Sequence, residues 1–144
     1  MKQIETRFEG TCSICGGRIP VGQTALYYSS PRVRILFCHS CAREGAGVAA
    51  RSWVLKQLSS ATMSIVRAVD LLSNNNQVQF AFRSARERLL RDASLIEKAM
   101  ERIHELTDDE IVASLDNFVR NLEHATALAG DILDFARRRG LVQS

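Results

Sequence analysis

The chain has 144 residues, 46% of them hydrophobic and 24% charged, with two prolines and a formal net charge of +3. That composition excludes a disordered or low-complexity chain, and no stretch approaches the roughly 18 continuous apolar residues of a membrane span. The opening Met1-Lys-Gln-Ile-Glu5 has no apolar signal segment, so four cysteines in this chain point to a reducing, cytoplasmic setting and away from disulfides.

In chain order, the first motif is Cys12-Ser-Ile-Cys15. Gly16 follows it at a tight turn, where backbone amides can donate to the cysteine sulfurs. Pro20 and Gly22 mark a second turn. Two short β-rich runs come next, Ala25–Tyr28 and Val33–Phe37, and Ser29-Ser30-Pro31-Arg32 between them predicts a hairpin. Cys38-His-Ser-Cys41 closes this region, so two C-x2-C pairs stand 22 residues apart. Each pair can wrap two thiolates around one ion. The spacing predicts one structural zinc per chain, held by Cys12, Cys15, Cys38 and Cys41. Four thiolates close a tetrahedral site and leave no position for a substrate, so the metal builds a fold. An iron–sulfur cluster also takes four thiolates. A thioredoxin-like redox pair would need a βαβ pattern, which is absent. His39 lies inside the second pair, but the cysteine set is complete without it.

The order of knuckle, hairpin and cysteine pair at a helix start resembles the treble-clef and zinc-ribbon families of small zinc fingers, over about residues 4–50. The resemblance implies the finger fold and the four cysteine ligands. It implies no single function, because such fingers bind DNA, RNA and proteins alike.

Beyond Gly47 the apolar residues follow a helical period in three segments. Val54, Leu58, Ala61, Ile65, Ala68 and Leu72 lead to the turn-forming run Asn74-Asn-Asn-Gln77. Phe82, Ala85, Leu89, Ile96, Ala99 and Ile103 make the second stripe. Thr107-Asp-Asp-Glu110 predicts a capping box, and Ile111, Leu115, Phe118, Leu122, Ala125, Ala129, Ile132 and Ala136 make the third. Gly140 after Arg137-Arg-Arg139 fits a helix end. The expected architecture is mostly α: a zinc finger with a β-hairpin over 1–45, then an antiparallel bundle of three long helices over 46–144. The helices are expected at about 46–73, 78–106 and 108–139. Additional apolar positions at Leu55, Val69, Val112, Val119 and Leu133 suit either the seat of the third helix or a homodimer face.

Charge is unevenly distributed. Residues 1–56 hold eight Lys/Arg and three Asp/Glu, whereas residues 92–136 hold three and eleven. Sixteen arginines stand against three lysines. Arg18, Arg32, Arg34, Arg43, Arg51 and Lys56 lie in or just after the finger, and Tyr27 and Tyr28 on the hairpin offer a stacking face. Guanidinium groups pair bidentately with phosphates, so this set predicts contact with DNA or RNA, or membership of a nucleic-acid-associated complex. A second cluster, Arg83, Arg86, Arg88 and Arg91, suits a solvated helix face better than a phosphate contact, for example through an Arg83–Glu87 pair.

No catalytic constellation, P-loop or dinucleotide turn occurs, and the chain is not expected to be an enzyme. Asp108, Asp109 and Glu110 at a hairpin tip are similar to the acidic tip of secondary-channel transcription factors, whose DnaK-suppressor type also carries a four-cysteine finger. Here the finger precedes the helices, and helix capping accounts for the acids. Two readings follow. In the first, the basic finger contacts nucleic acid while the bundle positions it. In the second, the metal is purely structural and the bundle docks on a larger protein assembly or dimerises.

Overall fold

Alternating polar and apolar residues on either side of Ser30-Pro31 fold back on each other as the expected hairpin. A computed structural model describes residues 1–142 of the chain. Gln143 and Ser144, the end of the expected helical domain, lie outside the described residues. Among the described residues five strands precede five helices: β1 (Lys2–Glu5), β2 (Gly10–Thr11), β3 (Arg18–Ile19), β4 (Thr24–Ser29), β5 (Arg34–Cys38), α1 (Ala46–Asn74), α2 (Asn76–Ala81), α3 (Ala85–Glu105), α4 (Asp108–Ala113) and α5 (Leu115–Arg138). The fold is mostly α with a small antiparallel sheet, as expected.

The hairpin is β4–β5, paired from Ala25 opposite Cys38 to Ser29 opposite Arg34. Its other edge is covered by β1, with Lys2 opposite Tyr27 and Glu5 opposite Thr24. The sheet order is therefore β1-β4-β5. β1 carries one apolar residue, Ile4, which is too weak an alternation to announce a strand. A two-stranded piece, β2–β3, brackets the first cysteine pair.

Most of the three helical stripes is buried, with Phe82, Ala99, Phe118 and Leu122 half-buried. Val54, Leu58, Ala61, Ile65, Ala68 and Leu72 of α1 are all buried, as are Leu89, Ile96 and Ile103 of α3 and Leu115, Ala125, Ala129, Ile132 and Ala136 of α5. The second and third stretches are each interrupted, however. Val78 anchors the short α2, and its carbonyl accepts from Phe82 N–H at 2.9 Å as that helix ends. Ser84 then takes a left-handed backbone (φ 63°) before α3 begins. Phe82 meets Phe135 edge to face, with ring centroids 5.4 Å apart. Burial of Val78 and that ring contact outweigh the local helical period, which is why periodicity alone reads straight through the break. The third stretch is interrupted at Ser114, whose N–H is shared between the Glu110 and Ile111 carbonyls. The capping box is present: Thr107 Oγ1 accepts from Glu110 N–H at 3.3 Å, and Thr107 N–H donates to Glu110 Oε1 at 3.2 Å. At the other end of the stretch Gly140 turns left-handed, and Leu141 N–H reaches back to the Ala136 carbonyl at 2.8 Å, closing the helix.

The residues fall into two compact units. The first comprises Met1–Gln57 and Arg102–Arg120, and so holds the whole expected finger together with the start of α1, the end of α3, α4 and the start of α5. The second comprises Leu58–Glu101 and the chain from Asn121 onward. Each of the long helices α1, α3 and α5 therefore contributes residues to both units.

Candidate metal centre and basic face

The four cysteine sulfurs lie within 4.8 Å of one another. Cys15 and Cys38 Sγ are 3.9 Å apart, close to the roughly 3.8 Å edge of a tetrahedron with metal–sulfur bonds of about 2.3 Å. No disulfide joins any of the four. Local structure explains the cluster. Gly16 adopts φ 73° and donates its N–H to the Cys12 carbonyl at 3.0 Å, which folds the first pair into a turn. Gly17 N–H donates to Cys15 Sγ at 3.3 Å, Cys38 N–H to Cys12 Sγ at 3.4 Å, and Cys41 N–H to Cys38 Sγ at 3.4 Å. Cys12 packs with Ile19 and Ala25, with Ile14, Leu36, Cys38 and Cys41 against them.

The donor set suits a cation. Burial opposes ionisation of Cys12, but N–H groups of Cys38, Cys15 and Ile14 hold its thiol down at about 6. Burial and the neighbouring cysteines push Cys41 up to about 12. Four thiolates so close together would repel one another, and a metal ion held by Cys12, Cys15, Cys38 and Cys41 would offset part of that repulsion and favour their deprotonated forms. The four cysteines are therefore positioned to bind a metal ion.

The basic residues divide into those used internally and those left outward. Lys56 Nζ donates to the carbonyls of Ile14 at 2.9 Å and Ser13 at 3.3 Å, tying α1 to the first cysteine turn. Arg51 donates to the carbonyls of Ile103 and Leu106 (2.8 Å to the latter) and pairs with Asp108 at 3.2 Å. It thereby satisfies carbonyls at the end of α3, which have no partner within the helix. Arg18 pairs with Glu9 at 2.6 Å on the surface. Arg51 and Lys56 thus have internal carbonyl partners, and Arg18 has an acidic partner on the surface. Arg32 sits at the hairpin tip, where its N–H donates to Ser30 Oγ at 3.3 Å. Arg34 on β5 and Arg43 after Cys41 are exposed.

Tyr27 and Tyr28 do not form one stacking face. Successive strand residues point to opposite sides. Tyr28 is half-buried, and burial first, then the Asp116 carboxylate beside it, raises its phenol above the ordinary range. Asp116 also accepts from Ser30 Oγ at the hairpin tip. Tyr27 is 37% exposed on the other side. Register places Lys2 directly opposite it and Arg34 diagonally across, on that same side. The place of Lys2 beside Tyr27 is not legible in the sequence. Its only signal is strand pairing, which an isolated Lys-Gln-Ile-Glu does not reveal. Among the described residues no helix is long and apolar enough to cross a membrane.

No protein-family model, curated protein or solved structure matches this chain.

Proposed function

We propose that the protein is a zinc-binding nucleic-acid-contacting module without catalytic activity, in which one structural zinc per chain holds a small basic face against phosphates. A closed four-thiolate cluster on two C-x2-C turns suits zinc, which has no redox chemistry and takes tetrahedral sulfur ligands. The observation that carries the nucleic-acid reading is that Arg34 and Arg43 project outward from the two segments joined by Cys38 and Cys41. The metal stiffens the backbone beneath them, so little ordering entropy opposes binding. The helices position this face; Lys56 and Asp116 tie the first cysteine turn and the hairpin tip to α1 and α5.

Fluorescence anisotropy of a labelled oligonucleotide against salt tests the reading. Replacing both arginines (R34Q/R43Q) should weaken binding of every sequence and lower the slope of log K against log salt by about 0.7–0.9 for each phosphate no longer engaged. An equal change at Lys98 and Arg102 should be silent. Parent protein that fails to bind any oligonucleotide at about 50 mM salt overturns the proposal.

The exposed apolar residues Phe8, Val21, Phe80, Leu90 and Leu95 support a second reading, docking on a larger protein assembly or a second copy. A complex insensitive to salt and abolished by Phe80→Ser or Leu90→Ser would favour it. One zinc per chain by elemental analysis, with no visible absorption from iron, checks the metal.

A further inference from the structure

We infer that the ligand of the finger is single-stranded nucleic acid, with one unpaired base stacked on Tyr27 between Lys2 and Arg34; this rests on the nucleic-acid reading above. Register decides which residues share a side of the sheet. Lys2, Ile4, Ala25, Tyr27, Ser29, Arg34, Leu36 and Cys38 alternate onto one side, and no acidic residue is among them. Gln3 and Glu5 fall on the other side. The cysteine turns cover one end of the shared side: Leu36 packs against the Cys12 cluster and would collide with any side chain at Gly10, its δ2 carbon lying 2.7 Å from a β carbon there. The other end stays open, and there Lys2, Tyr27, Ser29 and Arg34 are all exposed.

The strand order sets the spacing. β4 lies between β1 and β5, so the Tyr27 ring has a lysine one strand to one side and an arginine one strand to the other. Neighbouring strands are about 4.8 Å apart and Arg34 lies two residues, about 7 Å, along from Tyr27, so the two cations flank the ring diagonally, roughly 12 Å apart at the backbone. An aromatic platform with a cation on each side matches one stacked base and its two adjoining phosphates. A duplex hides its base faces between neighbouring pairs, so it can use the cations but not the ring. Tyr28 has no part in this, since it points to the opposite side and meets Asp116.

The test measures anisotropy of one labelled sequence as a single strand and as a duplex, with parent, Tyr27→Leu and Tyr27→Phe proteins, each checked for bound metal. Tyr27→Leu should weaken the single strand about 5- to 100-fold and leave the duplex unchanged, and Tyr27→Phe should restore single-strand binding. Should the leucine variant lose its metal, Tyr27→Trp replaces it, and a wider ring must tighten the single strand alone. Equal single-strand affinity in parent and variant overturns the inference, as does a duplex bound as tightly as the single strand; both leave the phosphate reading standing. If parent protein binds neither form at low salt, the underlying nucleic-acid reading fails instead.

Discussion

Asp92 occupies a core position of the second helical stripe, between Leu89 and Ile96, and only 7% of it is exposed. Its Oδ2 has no hydrogen-bond partner among the described residues. Burial raises its carboxyl above the ordinary range, against the opposing pull of Arg88 and Arg91 on its own helix and His124 on α5. A carboxyl raised in the folded state favours folding while protonated, and that stabilisation is lost as pH climbs from its ordinary value through the raised one. Asp92→Asn should therefore be more stable than the parent at neutral pH, by about 1 kcal/mol or about 3 °C, with the advantage shrinking towards pH 4. Thermal melts at several pH values check this. An advantage that is independent of pH would show that the charge is not the cost.

At the level of elements, Arg51 and Gly47 hold the start of α1 against the α3–α4 connection. Substituting Arg51 by Gln removes donors from two carbonyls and from Asp108. It should lower stability by about 1–2 kcal/mol, while oligonucleotide affinity per folded molecule stays unchanged. This outcome separates Arg51 from Arg34, although both look alike in sequence. Gly47 is where the backbones come closest: a β carbon there would lie 2.1 Å from Asp108 Cβ and 2.8 Å from its Cα. Neither neighbour is the far end of a flexible side chain, so Gly47→Ala must displace α1 or α4. The expected cost is about 1–3 kcal/mol, read by denaturant unfolding, despite alanine's better helix propensity.

Across the whole molecule, the strands are expected to need a metal in order to fold and the helices are not. Strands β1–β5 bury few side chains, among them Ile19, Ala25, Ile35 and Phe37, and a region of that size rarely folds without a metal or a partner surface. The second unit carries its own buried stripes from Leu58, Ile65, Leu72, Leu89, Ile96 and Ile132. Chelation, or the Cys38→Ser and Cys41→Ser pair, should abolish protection of strand amides and of the first turns of α1 in hydrogen exchange. Amides of Leu58–Leu72 and Ala125–Ala136 should keep theirs. Uniform loss of protection across both units would show that the helices depend on the metal for folding.

The sequence by itself determined the four metal-binding cysteines, the hairpin, the buried face of each helical stretch and the capping box at Thr107. Each depends on residues close in sequence or on a repeat whose period matches one element, and such signals survive without knowledge of what lies across the core. Tertiary structure decided the rest. Lys2-Gln-Ile-Glu5 becomes a strand because β4 offers an edge, and the helical period breaks at Ser84 because Val78 and Phe82 are drawn inward. Among the basic residues, Arg51 and Lys56 turn to carbonyls from distant segments, while Arg34 does not. Tyr27 stays out and Tyr28 turns towards Asp116, a residue 88 positions further along the chain. A guanidinium or a phenol carries the same chemistry in either place; which groups it meets depends on pairings between residues far apart in sequence, and local pattern holds no record of those.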